Sequence, residues 1–78
     1  MEKEIGDIVE YVDPVGKSHK ALVTANWGIA SPTASLNLVY VSDNENETDQ
    51  YGRQIKRDTS VVHESSQPAH GRFWRDLV

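Results

Sequence analysis

From Lys20 to Trp27 the side chains alternate: Ala21, Val23, Ala25 and Trp27 face one way, and Leu22, Thr24 and Asn26 the other. A period of two predicts a strand, with the first set turned inward. The run Ile8 to Val12 predicts an earlier strand, with Ile8 and Val12 on one face and Val9 and Tyr11 on the other. Its end is marked by Asp13-Pro14-Val15-Gly16, where Asp at the first position, Pro at the second and Gly at the fourth suit a type I turn. Leu36 to Val41 predicts a third strand, with Leu36, Leu38 and Tyr40 inward and Asn37, Val39 and Val41 outward, and Thr59 to His63 a last β-prone stretch. No run has the length and period of an amphipathic helix.

The segments between these runs differ sharply in character. Gly28-Ile29-Ala30-Ser31-Pro32-Thr33 reads as a loop. Residues 42–50, Ser-Asp-Asn-Glu-Asn-Glu-Thr-Asp-Gln, carry no apolar side chain, which predicts a solvated loop whose residues 43–49 are dispensable for folding. Beyond Tyr51-Gly52 the chain turns basic at Arg53, Lys56 and Arg57 around Ile55. The segment 64–78 carries the pair Phe73-Trp74 and is expected to dock, on its own chain or on a neighbour, because two large aromatics together suit a packed surface. The expected fold is a single all-β domain over residues 1–78, an antiparallel barrel of about five strands with a docked C-terminal segment.

Composition narrows the functional classes. A 78-residue domain without cysteine has no disulfide and no thiolate chemistry, so self-association is its inexpensive source of extra stability. A net charge of −4 opposes general attraction to phosphate backbones and places nucleic-acid binding behind protein binding. No leader pattern and no apolar run of membrane-spanning length is visible, so the expected location is cytoplasmic, with no membrane partner.

The clusters that invite a chemical reading fall short of the patterns that chemistry needs. Asp43, Glu45, Glu47 and Asp49 alternate as calcium-loop ligands do, but Thr48 stands where an EF-hand loop needs Gly and Gln54 where it needs Glu. His19, His63 and His70 lack the spacing that sets two rings on one helix face, so no metal is expected. Neither a nucleophile elbow nor a phosphate loop occurs, and no catalytic residue or cofactor is expected. Arg53, Lys56 and Arg57, with Arg72 and Arg75, could form an anion site in which Tyr51, Phe73 and Trp74 stack. Alternatively, the basic stretch pairs with the acidic loop beside it.

Two resemblances extend this reading. Gly6-Asp7-Ile8-Val9, a tight turn and the strand Lys20-Ala21-Leu22-Val23-Thr24 resemble the opening hairpin of SH3-like small barrels. Gly6 to Val12, Leu36 to Val41, Ser60-Val61-Val62-His63 and Ala69-His70-Gly71-Arg72-Phe73-Trp74 look like small uncharacterised proteins encoded in tailed-phage and prophage genomes. These likenesses imply an SH3-like barrel of viral type and a host-cytoplasmic setting, and they bring no catalytic residue. The expected function is noncatalytic binding of a protein partner or of the chain's own copies as a homo-oligomer. The alternatives are binding of a small anionic ligand such as a nucleotide at a subunit junction, then nucleic acid, then hydrolysis with histidine as base. Tyr51, Arg53, His63, His70, Arg72, Phe73, Trp74 and Trp27 are the expected ligand- or partner-binding residues.

Overall fold

A computed structural model describes residues 3–28, 31–66 and 72–77. The strands are β1 (Ile8–Val12), β2 (Ser18–Asn26), β3 (Leu36–Val41), β4 (Thr48–Asp49), β5 (Gly52–Arg53), β6 (Ile55–His63) and β7 (Phe73–Arg75), with a 3-10 turn at Glu64–Ser66. Five of them, in the order β1-β2-β3-β6-β7, close a barrel, and β4 and β5 form a separate two-stranded ribbon. The expected small all-β barrel is therefore the fold.

The β1–β2 turn forms where the sequence places it. Asp13 Oδ1 accepts the amides of Val15 and Lys17, and the Gly16 amide donates to the Asp13 carbonyl at 2.9 Å. Gly16 lies at φ +88°, a conformation that a residue with a Cβ rarely adopts. From there β2 pairs antiparallel with β1 and with β3, which sets Val9, Ala21, Val23 and Leu38 inside.

The core joins Val9, Tyr11, Ala21, Val23, Leu36, Leu38, Val61 and Trp74, with Tyr40 packed against it. Ala21, Val23, Leu36 and Leu38 are buried as their alternation predicts, whereas Ala25 and Tyr40 are only partly covered. At Ala25 the β2–β3 register shifts between Val23 and Ala25, and past such a bulge the alternation no longer aims side chains at the barrel axis. Trp27, at the end of the same predicted inward set, is 64% exposed, and its indole N–H donates to Asn37 Oδ1 at 2.8 Å.

Three departures from the expected sheet share one cause, local pairing that hydrophobic pattern alone does not encode. The last long strand begins at Ile55 rather than Thr59, because Lys56 to Asp58 pair with Leu38 to Tyr40 of β3 despite their polarity. The acidic stretch 42–50 contains β4, which pairs with β5 through Thr48↔Arg53 and Asp49↔Gly52. Finally, the barrel is not wholly antiparallel, since β7 runs parallel to β6 while antiparallel to β1.

The C-terminal segment docks on its own chain. Phe73–Arg75 sits between β1 and β6, Trp74 is fully buried, and its indole N–H donates to the Ala34 carbonyl at 2.9 Å. His63 meets the Trp74 ring edge-on at 4.6 Å between centroids.

Candidate functional site

Two surfaces stand out, one polar and one apolar. The polar one begins at the β1–β2 turn, where Asp13 Oδ2 contacts His19 Nε2 at 2.9 Å, and His19 Nδ1 lies 3.5 Å from Asp43 Oδ1. His19 is thus held between the turn and the acidic segment, and its ring packs on Tyr40 at 4.7 Å. Lys17 pairs with Asp43 at 3.2 Å, Lys56 pairs with Glu47 at 3.1 Å, and the Ser42 hydroxyl donates to Glu47. Asp13, His19, Tyr40, Asp43, Glu47 and Lys56 border an open cleft of about 240 Å³.

Beneath the cleft, Tyr11 and Tyr40 stack with ring centroids 4.9 Å apart. The Tyr11 hydroxyl donates to Asp58 Oδ2 at 2.6 Å, and Arg72 reaches the same carboxylate through Nε at 2.9 Å and Nη2 at 2.5 Å. Burial, and then the hydrogen bond to the Asp58 carboxylate, push the Tyr11 phenol well above its ordinary range. Burial acts to raise the Asp58 carboxyl too, but Arg72 and Tyr11 outweigh it and hold Asp58 below its ordinary value.

These contacts occupy most of the cations that suggested an anion site. Arg53 donates to the Ser42 carbonyl at 3.0 Å, Lys56 holds Glu47, Arg72 holds Asp58 and Arg75 holds Glu10. Basic and acidic stretches pair with each other, and three carboxylates face the cleft, an arrangement that repels an anion. Among the described residues no group of three or more His, Cys, Asp or Glu side chains is placed to hold a metal ion.

The acidic segment is consequently a clasp rather than a free loop. Replacing residues 43–49 by a Gly-Ser linker removes the Asp43 and Glu47 pairs, each a small contribution at such exposure. The expected result is a melting temperature several degrees lower with folding retained, read by circular dichroism. An unchanged melt would show that the clasp contributes nothing.

The apolar surface lies on the outside of the barrel. Pairing sets Ile8 opposite Leu22 and Leu22 opposite Val39, while Val41 stands opposite Ile55 one step along. Ile8, Leu22, Val41 and Ile55 are 46%, 40%, 53% and 63% exposed, which amounts to roughly 400 Å² of contiguous apolar surface. Monomeric proteins seldom carry larger patches without using them. The signal was present in the chain as apolar residues on both faces of β2 and β3, namely Leu22, Val39 and Val41 at outward positions.

The residues singled out from sequence are dispersed. Tyr51, 88% exposed, sits at the ribbon tip, and Trp27 lies just past the end of β2. Trp74 is entirely enclosed and supports the barrel; Phe73 is half-buried beside it, and His63 packs on it. Arg72 is engaged by Asp58, and His70 lies outside the described residues. No family model, curated protein or solved structure matches the chain. Among the described residues no helix is long and apolar enough to cross a membrane.

Proposed function

We propose that the chain is a noncatalytic binding module of phage type, an SH3-like small barrel that recognises a protein partner or a second copy of itself. The observation that carries this reading is the exposed apolar face of Ile8, Leu22, Val41 and Ile55. Covering roughly 400 Å² of it is worth about 10 kcal/mol gross at about 25 cal/mol per Å². Association costs of about 4–15 kcal/mol offset that gain, so the face supports binding and leaves room for further contacts to set affinity. The phage-type part of the proposal rests on the sequence resemblance alone.

The double variant Leu22→Ser, Val41→Ser tests the face. Both side chains are substantially exposed, so the melting temperature should move by only a few degrees. Sedimentation and affinity capture should show the parent's self-association, or its retention of a specific polypeptide, reduced at least about tenfold in the variant. Identical association by parent and variant overturns the reading.

A further inference from the structure

Closure of the barrel is brief on one side. Among the described residues β7 pairs with β6 only at Val62 and His63, and the earlier part of β6 has a strand neighbour, β3, on one edge alone. The ladder tells which backbone groups face the other edge. The Ser42 amide donates to the Gln54 carbonyl at 2.9 Å, one step beyond the pair Val41↔Ile55. Hydrogen-bonded and non-bonded pairs alternate in an antiparallel ladder, so Lys56 and Asp58 turn their amides and carbonyls toward β3. Ile55 and Arg57 turn theirs outward.

The next outward position, Thr59, is already covered: its carbonyl accepts from Arg72 Nη2 at 3.1 Å and its amide donates to Asp58 Oδ1. Among the described residues nothing occupies the outward groups of Ile55 and Arg57, and both residues are exposed. An edge of this kind pairs readily with another extended chain.

Charge selects the occupant. Arg57 joins no ion pair among the described residues, and Lys20, on the same outer face, joins none either. Glu10, which stands opposite Lys20, is engaged by Arg75. A second copy pairing edge to edge would bring Lys56 or Arg57, according to register, against its own counterpart, which opposes self-pairing. An acidic strand removes that repulsion.

We propose that the open edge of β6 at Ile55 and Arg57 takes up an extended acidic segment of a protein partner by strand addition. The added strand carries a carboxylate beside Arg57 and, two positions away on the same face, an apolar side chain beside Ile55. It thereby extends the row Ile8, Leu22, Val39, Arg57 and the neighbouring row Val41, Ile55. This rests on the reading of the chain as a protein-binding module and supplies the mode and chemistry of that binding.

The test titrates isotope-labelled protein with a synthetic peptide repeating Thr-Val-Thr-Glu. The Ile55 and Arg57 amides should shift and gain protection from hydrogen exchange. N-methylation of the peptide amides that face β6 should abolish binding, and Arg57→Glu should weaken it at least about tenfold, the effect of losing one favourable charge contact. Equal binding of a Thr-Val-Thr-Lys peptide overturns the proposal. So does binding that N-methylation leaves intact, or a β6-mediated dimer. Should the peptide fail while Leu22→Ser, Val41→Ser still loses its partner, strand addition alone falls. If that double variant keeps every association, the module reading falls with it.

Discussion

Trp74→Ala is expected to abolish the cooperative melt of this barrel near ambient temperature. Trp74 heads the fully buried side chains by volume, and it lies in β7, the short strand that joins β1 to β6. Truncating a buried Trp costs about 3–5 kcal/mol through lost transfer energy and the cavity left behind. The Ala34 carbonyl also loses the indole donor at 2.9 Å, which adds about 1 kcal/mol. A domain of this length holds roughly 4–12 kcal/mol in all, so the loss consumes much of its stability. Truncation after Gln67, which removes β7 entirely, should act at least as strongly. Trp27→Ala is the control: that ring is 64% exposed and gives up one exposed hydrogen bond to Asn37, so about 1 kcal/mol or less is expected. Thermal melts by circular dichroism and dispersion of the amide spectrum measure both variants. A Trp74→Ala protein that melts within a few degrees of the parent would show that β7 is not the closing strand in solution.

The contrast between the two tryptophans shows what the chain discloses and what it conceals. Alternation located β1, β2 and β3 and the inward set Ala21, Val23, Leu36 and Leu38, because a period of two maps directly onto a pleated strand with one buried face. It misplaced Trp27, since the register shift near Ala25 is a backbone event with no side-chain signature of its own. It shortened β6, because Lys56, Arg57 and Asp58 look like loop residues until β3 is seen beside them. The same blindness hid the part of the clasp that lies beyond the pairing of basic and acidic stretches. Asp13, His19 and Asp43 meet across the turn and the acidic segment, and Tyr11, Asp58 and Arg72 meet across three strands' worth of sequence, at separations that no local motif records. The density of chemistry in Arg72-Phe73-Trp74 did point to docking, but it pointed to a binding surface where the barrel needed a closing strand.

Acid should destabilise the fold chiefly through Asp58. Its carboxylate is only 18% exposed and accepts from Tyr11, from Arg72 and from the Thr59 amide, so each protonation of Asp58 forfeits charge-assisted bonds. Burial raises the Asp58 carboxyl, yet these partners outweigh it and leave the folded value below the ordinary 3.8. Asp13 shows the same balance, burial against the His19 and backbone bonds, with a lowered result, and Asp76 is lowered by Lys3. A carboxyl depressed in the folded state takes up its proton more readily in the unfolded chain. Its contribution is therefore fully present above the unfolded value, begins to fall away below about pH 4, and is gone once pH has dropped through the folded value. Stability should accordingly stay level from neutrality to about pH 5 and decline steeply below about pH 4. Asp58→Asn keeps the size of the side chain but removes its charge; it should cost about 2–3 kcal/mol at neutral pH, where Arg72 loses its counter-ion, and should flatten the acid limb. Arg72 is 48% exposed and water resolvates it, which sets the cost at the low end for a broken ion pair. Urea midpoints measured between pH 3 and pH 7 for parent and variant decide the matter: parallel acid limbs in the two proteins would show that the proton uptake lies elsewhere than Asp58.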